Sequence, residues 1–212
     1  VLTVAVLLLI WTELLGRRRP VYIIKPISTL LVIAVALLSF LEPTRNLTYT
    51  VGVVLGLLFS LGGDVALMFQ DNRKAFTVGL GLFLIAHIAY TVVFLRLGRF
   101  SAWDMPVALL LLAAAVGFYR LIRPNLGSMR APVIGYIVII SLMVSRALSV
   151  WASPVFHAGQ ALMIAAGALL FYISDVILAA NRFWKPWRYH RISLAFYYSG
   201  QLLIALAASC FA

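Results

Sequence analysis

Apolar residues run along this chain in long blocks, not in alternating or one-sided stripes. Eight blocks stand out: residues 1–15, 26–41, 48–69, 75–95, 105–121, 132–150, 157–180 and 193–211. A helix needs ~20 mostly apolar residues to cross a bilayer. Each block is therefore predicted to be a transmembrane helix, the first being short. The connections between them are short and carry Pro, Gly or charge. Pro20 and Pro26 bracket the start of the second block and Pro43 follows it. Pro106, Pro124, Pro132 and Pro154 mark later turns, where a helix does not readily continue. The prediction is an all-α polytopic membrane protein of eight transmembrane helices, forming a single transmembrane domain over residues 1–212. The first block has no basic flank ahead of it and does not read as a signal peptide.

Composition agrees with this pattern. The chain is 64% hydrophobic and 11% charged, with a mean hydropathy of +1.06. Soluble domains carry about 25% charged residues. No stretch is left over for a separate soluble domain. The net charge of +11 would suggest nucleic acid on a soluble surface, but its distribution says otherwise. Thirteen of the 17 Lys and Arg fall in alternate connections. These are Arg17, Arg18, Arg19 and Lys25; Arg73 and Lys74; Arg120, Arg123 and Arg130; and Arg182, Lys185, Arg188 and Arg191. Only Arg45, Arg96, Arg99 and Arg146 belong to the other side. The positive-inside rule puts the basic connections in the cytoplasm and both termini outside, an N-out/C-out topology. The expected location is the bacterial cytoplasmic (inner) membrane. The expected partners are membrane lipids, whose anionic headgroups the basic face attracts, and no nucleic acid. Cys210 is the single cysteine, so neither an intrachain disulfide nor a cysteine metal site is expected.

Two aspartates interrupt the apolar blocks in nearly the same local sequence. Gly56, Leu58, Asp64, Val65 and Leu67 in the third block match Gly167, Leu169, Asp175, Val176 and Leu178 in the seventh. The shared pattern is G-x-L-x5-D-V-x-L, and the same offset of 111 residues carries Lys74 onto Lys185. A parallel four-plus-four duplication would produce this pattern, and so would a chance match among common apolar residues. The two aspartates fall about equally far from the predicted cytoplasmic ends of their blocks. A carboxylate at such a depth is costly and marks a functional site by default. The plain structural alternative is a carboxylate satisfied by a buried Arg or by Tyr and Ser donors. No Arg is expected at this depth, since Arg146 lies near the far end of its block and is expected to snorkel to the surface. Glu13 is expected at the cytoplasmic interface beside Arg17–Arg19.

Other polar side chains reach the same level. Tyr136 lies just inside the sixth block. Tyr197, Tyr198 and Gln201 can share one broad face of the eighth. His87 sits deeper in the fourth block, followed by Tyr90 and Thr91. Lys25 stands at the mouth of the second block, Ser174 precedes Asp175, and Asn181 lies near the end of the seventh. Gly52, Gly56, Ser60 and Asp64 follow one another at steps of four. That stripe suits either close helix packing or room for an acyl chain.

Paired carboxyl groups in a low-dielectric setting hold one proton between them more readily than they ionise together, which yields an acid and a base. Zinc hydrolysis is less well supported, because His87, His157 and His190 are predicted at three different levels. No G-x-S-x-G turn offers a serine nucleophile. A lipid or proton-coupled transporter that uses buried acids without chemistry remains a second reading. A lipid-sensing protein with structurally satisfied aspartates is a third.

Several pieces, taken together, resemble a known family. They are Lys25-Pro26; Gly63-Asp64 with Leu67; Phe83, His87 and Tyr90; Gly167-Ala168 with Phe171, Ser174-Asp175, Leu178 and Ala179; and Tyr197-Tyr198 with Gln201. Spanning almost the whole chain, they are similar to the lysoplasmalogenase family, also called the YhhN family, of eight-helix membrane proteins. The resemblance implies hydrolysis of the vinyl ether bond of a lysophospholipid substrate, the lysoplasmalogen. Its products are a fatty aldehyde and glycerophospho-ethanolamine or -choline, with no cofactor and no metal. Asp64 and Asp175 would then be catalytic. Lys25, His87, Tyr90, Tyr136, Ser174, Asn181, Tyr197, Tyr198 and Gln201 would bind substrate or water, with Lys25 placed to meet the phosphate.

Overall fold

The computed structural model describes residues 4, 7–9, 11, 18–187 and 190–211, and among them there are helices and connections but no strand. Residues 4, 7–9 and 11 of the first block are helical. Glu13, Arg17 and Arg188 lie outside the described residues. The helices that follow are α1 Arg18–Leu38, α2 Leu47–Leu67, α3 Arg73–Leu97, α4 Asp104–Ile122, α5 Arg130–Ser149, α6 Ala158–Phe183 and α7 Ser193–Ala207. Six helical stretches, those built on α1 to α6, are long and apolar enough to cross a membrane by length and composition. Helix α7 has 15 residues, roughly 22 Å at ~1.5 Å per residue, and is too short to span ~30 Å of hydrocarbon unaided.

The ends of the helices follow from their flanking residues. Asn46 caps α2 by accepting from the Tyr49 amide, and Asn72 caps α3 by accepting from the Lys74 and Ala75 amides. His157 and Gln160 form a reciprocal box at the start of α6. Helix α1 begins eight residues before the predicted start of its block and runs straight through Pro26. Pro20 costs little because first-turn amides have no helical acceptor in any case. Beside Pro26 the Ser28 hydroxyl turns back to the Ile24 carbonyl. Lys25 is therefore a helix residue, not part of a connection.

Six helices close into a ring, α1–α2–α3–α5–α6–α7 and back to α1, while α4 leans on α5 from outside. Leu109, Leu110 and Leu112 of α4 are exposed, as an outer helix in lipid requires. The stripe on α2 is a packing surface. A Cβ on Gly52 would lie 2.0 Å from Val93, one on Gly56 2.3 Å from the Tyr90 ring, and one on Gly63 2.7 Å from Phe83. These contacts also show α2 and α3 to be antiparallel. Helices α6 and α7 approach as closely, where a Cβ on Gly167 would lie 2.8 Å from the Gly200 carbonyl oxygen. No acyl chain fits against those glycines.

Arg146 does not snorkel. It is 4% exposed and sits 3.3 Å from Asp104, with its guanidinium 4.2 Å from the centre of the Phe100 ring. The Ser149 hydroxyl and the Ser101 amide also donate to Asp104. A carboxylate from the preceding helix is within reach, so the charge is neutralised inside the fold and need not extend to water.

Candidate active site

Asp64 lies three residues before the end of α2, at the end of the ring that carries the basic connections. Its residue is 1% exposed. The Thr29 and Tyr197 hydroxyls each donate to Oδ2 at 2.6 Å. Lys25 Nζ stands 3.3 Å from Oδ1 and 3.4 Å from the Asp64 carbonyl oxygen. Lys25 and Thr29 are one turn apart on α1, so they reach the carboxylate from one face. Tyr198 holds the same stretch of α1 by donating to the Lys25 carbonyl at 3.0 Å. Lys25 is itself 8% exposed. The cation expected to meet a phosphate thus stands against Asp64 in the structure.

Asp175 lies eight residues before the end of α6, because that helix runs on to Phe183, beyond its predicted end. Equal distance from the helix ends, as predicted, does not hold. Tyr136 of α5 donates to Asp175 Oδ2 at 2.6 Å. His87 Nε2 of α3 lies 3.7 Å from the same oxygen, and His87 Nδ1 lies 2.5 Å from the Phe83 carbonyl oxygen. The His87 ring is wedged edge-on against Phe171 and Tyr136, at 4.6 and 5.3 Å between centres. Phe171 in turn meets Tyr197 at 5.2 Å. An aromatic wall therefore joins the partners of one aspartate to those of the other.

Both aspartates line one cavity of about 280 Å³. Lys25, Ser174 and Tyr197 share its wall, while Gln70, Asp71, His190 and Arg191 bring polar groups to it. An apolar pocket of about 70 Å³ adjoins it between α3, α4, α5 and α6. Leu67, Phe83, Asp175 and Leu178 line both spaces. Tyr136 lines the apolar one, together with residues such as Leu80, Ile122 and Ile140. Asp175 is the carboxyl group at the junction of a polar chamber and a greasy one.

The structure sorts the predicted residues into groups. Asp64, Asp175, Lys25, Tyr136, Ser174 and Tyr197 border the two spaces. His87 stands behind Asp175 and Tyr198 behind Lys25. Tyr90 and Gln201 are fully buried one turn deeper than His87 and Tyr197 and line neither space. Asn181 lines neither space, and its side chain accepts from the Trp187 amide at 2.8 Å across the α6–α7 connection. Sequence reasoning missed Thr29. Its signal was the i, i+4 spacing from Lys25, hidden by reading Pro26 as a helix start. It also missed Asp71, which stands in a connection where charge reads as ordinary solvation.

Comparison with known proteins adds to this geometry. The YhhN family profile matches residues 21–208. Human lysoplasmalogenase TMEM86A is 34% identical over 170 residues, covering 74% of this chain and 64% of the human protein. The Bos taurus TMEM86A is 32% identical over 165 residues with the same coverage. The membrane protein YhhN of Escherichia coli is 28% identical over 186 residues, covering 86% of this chain and 84% of that protein. The chain thus matches 64% of the length of the mammalian relatives. No solved structure matches it significantly.

Proposed function

The chain belongs to the YhhN family of multi-pass membrane proteins, and on that premise we propose that it is a membrane-embedded hydrolase cleaving the vinyl ether bond of lysoplasmalogens. The names of the mammalian relatives point to the substrate. The observation that carries the proposal is that Asp64 and Asp175 face one cavity while Asp175 also faces an apolar pocket. A lysolipid has a polar head and one chain, with the vinyl ether at the join. Its head suits the 280 Å³ chamber, and the first methylenes of its chain suit the 70 Å³ pocket. That pose sets the ether beside Asp175.

The reaction balances with the two carboxyl groups alone. One carboxylic acid protonates the enol carbon, leaving an oxocarbenium ion. The other, ionised, takes a proton from water as the hydroxyl adds to the cationic carbon. The resulting hemiacetal collapses as the first carboxylate removes the hydroxyl proton and the second acid protonates the departing glycerol oxygen. Aldehyde and glycerophospho-alcohol leave, and both aspartates regain their starting states. Charge on the oxocarbenium is offset by the ionised aspartate.

The same reading puts the basic end of the ring, and so the chamber, on the cytoplasmic side with N-out/C-out topology. It also takes the four-plus-four duplication as real. Support comes from the recurrence of one spacing, because Lys25 meets Asp64 and Tyr136 meets Asp175 at 39 residues' separation in both cases. Gly56 and Gly167, matched by the 111-residue offset, are both close-approach points between neighbouring helices.

The test is Asp64→Asn and Asp175→Asn, each purified folded and assayed for aldehyde release from lysoplasmenyl-ethanolamine. Each is expected to lose at least ~10²-fold in kcat, the scale of a lost general acid or base. Full activity in either variant removes that aspartate from the chemistry.

A further inference from the structure

The two aspartates came from matched positions, yet their surroundings differ in kind. We infer that Asp175 holds the proton and Asp64 the negative charge, and that the division is set at one matched pair of positions, Lys25 and Tyr136. This deepens the hydrolase reading and rests on it.

The 111-residue offset carries Lys25 onto Tyr136, and each side chain reaches the aspartate of its own half. Lys25 Nζ lies 3.3 Å from Asp64 Oδ1, and the Tyr136 hydroxyl lies 2.6 Å from Asp175 Oδ2. Each aspartate also takes a partner from the other half, Tyr197 for Asp64 and His87 for Asp175. The same offset carries His87 onto Tyr198, the neighbour of Tyr197. The two sites are thus built to one plan and filled with different chemistry.

At Asp64 every partner donates. An ammonium and two hydroxyls surround the carboxyl group; the ammonium can only donate, and both hydroxyls are turned to donate to Oδ2. That arrangement stabilises the anion. Asp175 has one hydroxyl donor and no Lys or Arg partner among the described residues. Its second neighbour is His87, whose Nδ1 faces a backbone carbonyl at 2.5 Å. A carbonyl only accepts, so Nδ1 carries the ring hydrogen. In the neutral ring Nε2 is then a lone pair. It is buried, has no hydrogen-bond partner, and lies 3.7 Å from Asp175 Oδ2. A buried lone pair at that distance repels an anionic carboxylate and is compatible with a neutral one. In a dry setting a neutral carboxylic acid beside a neutral imidazole avoids the penalty of burying a separated charge pair.

Asp175 is therefore the acid that protonates the enol carbon, and it is also the aspartate that borders the apolar pocket. Asp64 is the anion that receives the water proton. His87, Lys25, Tyr136, Tyr197 and Thr29 are positioning residues, for they act on the aspartates and not on the substrate.

Infrared difference spectroscopy of the protein in lipid nanodiscs reads a protonated carboxyl directly through its carbonyl stretch. At neutral pH the wild-type protein is expected to show such a band, lost in Asp175→Asn and kept in Asp64→Asn. Nitrogen NMR of histidine-labelled protein is expected to show His87 as the neutral Nδ1–H tautomer. Exchanging the pair, Lys25→Tyr with Tyr136→Lys, is expected to move the band to Asp64, so that Asp64→Asn then abolishes it. If the exchange variant does not fold, the single Asp→Asn spectra still decide. A band lost in Asp64→Asn, no band in the wild-type protein, or an imidazolium at His87 overturns the assignment. Loss of aldehyde release in both Asp→Asn variants with the band on Asp64 overturns only the division of roles. Retained release in both overturns the hydrolase reading, whatever the band shows.

Discussion

Replacing Lys25 with Met keeps the stem of the side chain and removes the ammonium. In the structure that ammonium is 3.3 Å from Asp64 Oδ1, with the two side chains 10% and 2% exposed. Coulomb's law at an effective dielectric of ~20 gives an attraction of about 5 kcal/mol at this distance. The net effect is smaller, because both ions gave up hydration to meet. Removing one partner of a buried pair destabilises by about 3–5 kcal/mol when the other charge is stranded. Here Asp64 keeps two hydroxyl donors at 2.6 Å. A loss of about 2–3 kcal/mol in folding stability is therefore expected. The kinetic effect follows from the lost contact. Without the ammonium that holds and stabilises the base, kcat is expected to fall ~10²-fold or more, with KM nearly unchanged. Thermal unfolding in detergent reads the first quantity, and aldehyde release against lysoplasmenyl-ethanolamine concentration reads the second. The split between kcat and KM tells the two roles of Lys25 apart. A raised KM at unchanged kcat would return Lys25 to the lipid phosphate and refute its assignment to Asp64.

Three further variants have expected outcomes. Ile140→Trp fills the apolar pocket of about 70 Å³, and kcat/KM measured across a chain-length series is expected to shift toward short chains; an unchanged profile would place the chain elsewhere. Gly56→Ala puts a methyl group 2.3 Å from the buried Tyr90 ring, which should lower stability by about 1–3 kcal/mol. Gly81→Ala meets nothing within 4 Å and should leave stability equal or up to ~1 kcal/mol higher. Equal melting temperatures for these two variants would refute the close packing of α2 on α3.

Much of the site was legible in the chain. Asp64 and Asp175 stood out because a charge in an apolar block has no cheap explanation. Tyr136 and Tyr197 were placed near them by counting residues from the basic ends, and both donate to an aspartate. Counting failed at Lys25, where Pro26 was read as a helix start although α1 runs through it. At Asn181 the residue count says nothing of the contact that the structure shows, an amide accepted from Trp187 across the connection to α7. Arg146 was judged by its own helix alone, and its partner, Asp104, lies 42 residues away in the chain.

By itself the sequence determined which segments are helical, how the basic residues divide between two faces, and that two carboxyl groups lie within apolar helices. These are local properties, decided by runs of residues within one helix and its connections. The tertiary structure alone decided that α1 to α3 and α5 to α7 close into a ring, that both aspartates open onto one cavity, and that Lys25 serves one while His87 serves the other. The physical reason is the solvent. In water the polar face of a helix reveals which way it points, whereas a helix in lipid is apolar toward its neighbours and toward the membrane alike. Rotation about the helix axis is then nearly silent in the hydrophobic pattern, and it is that rotation which brings Asp64 and Asp175 together.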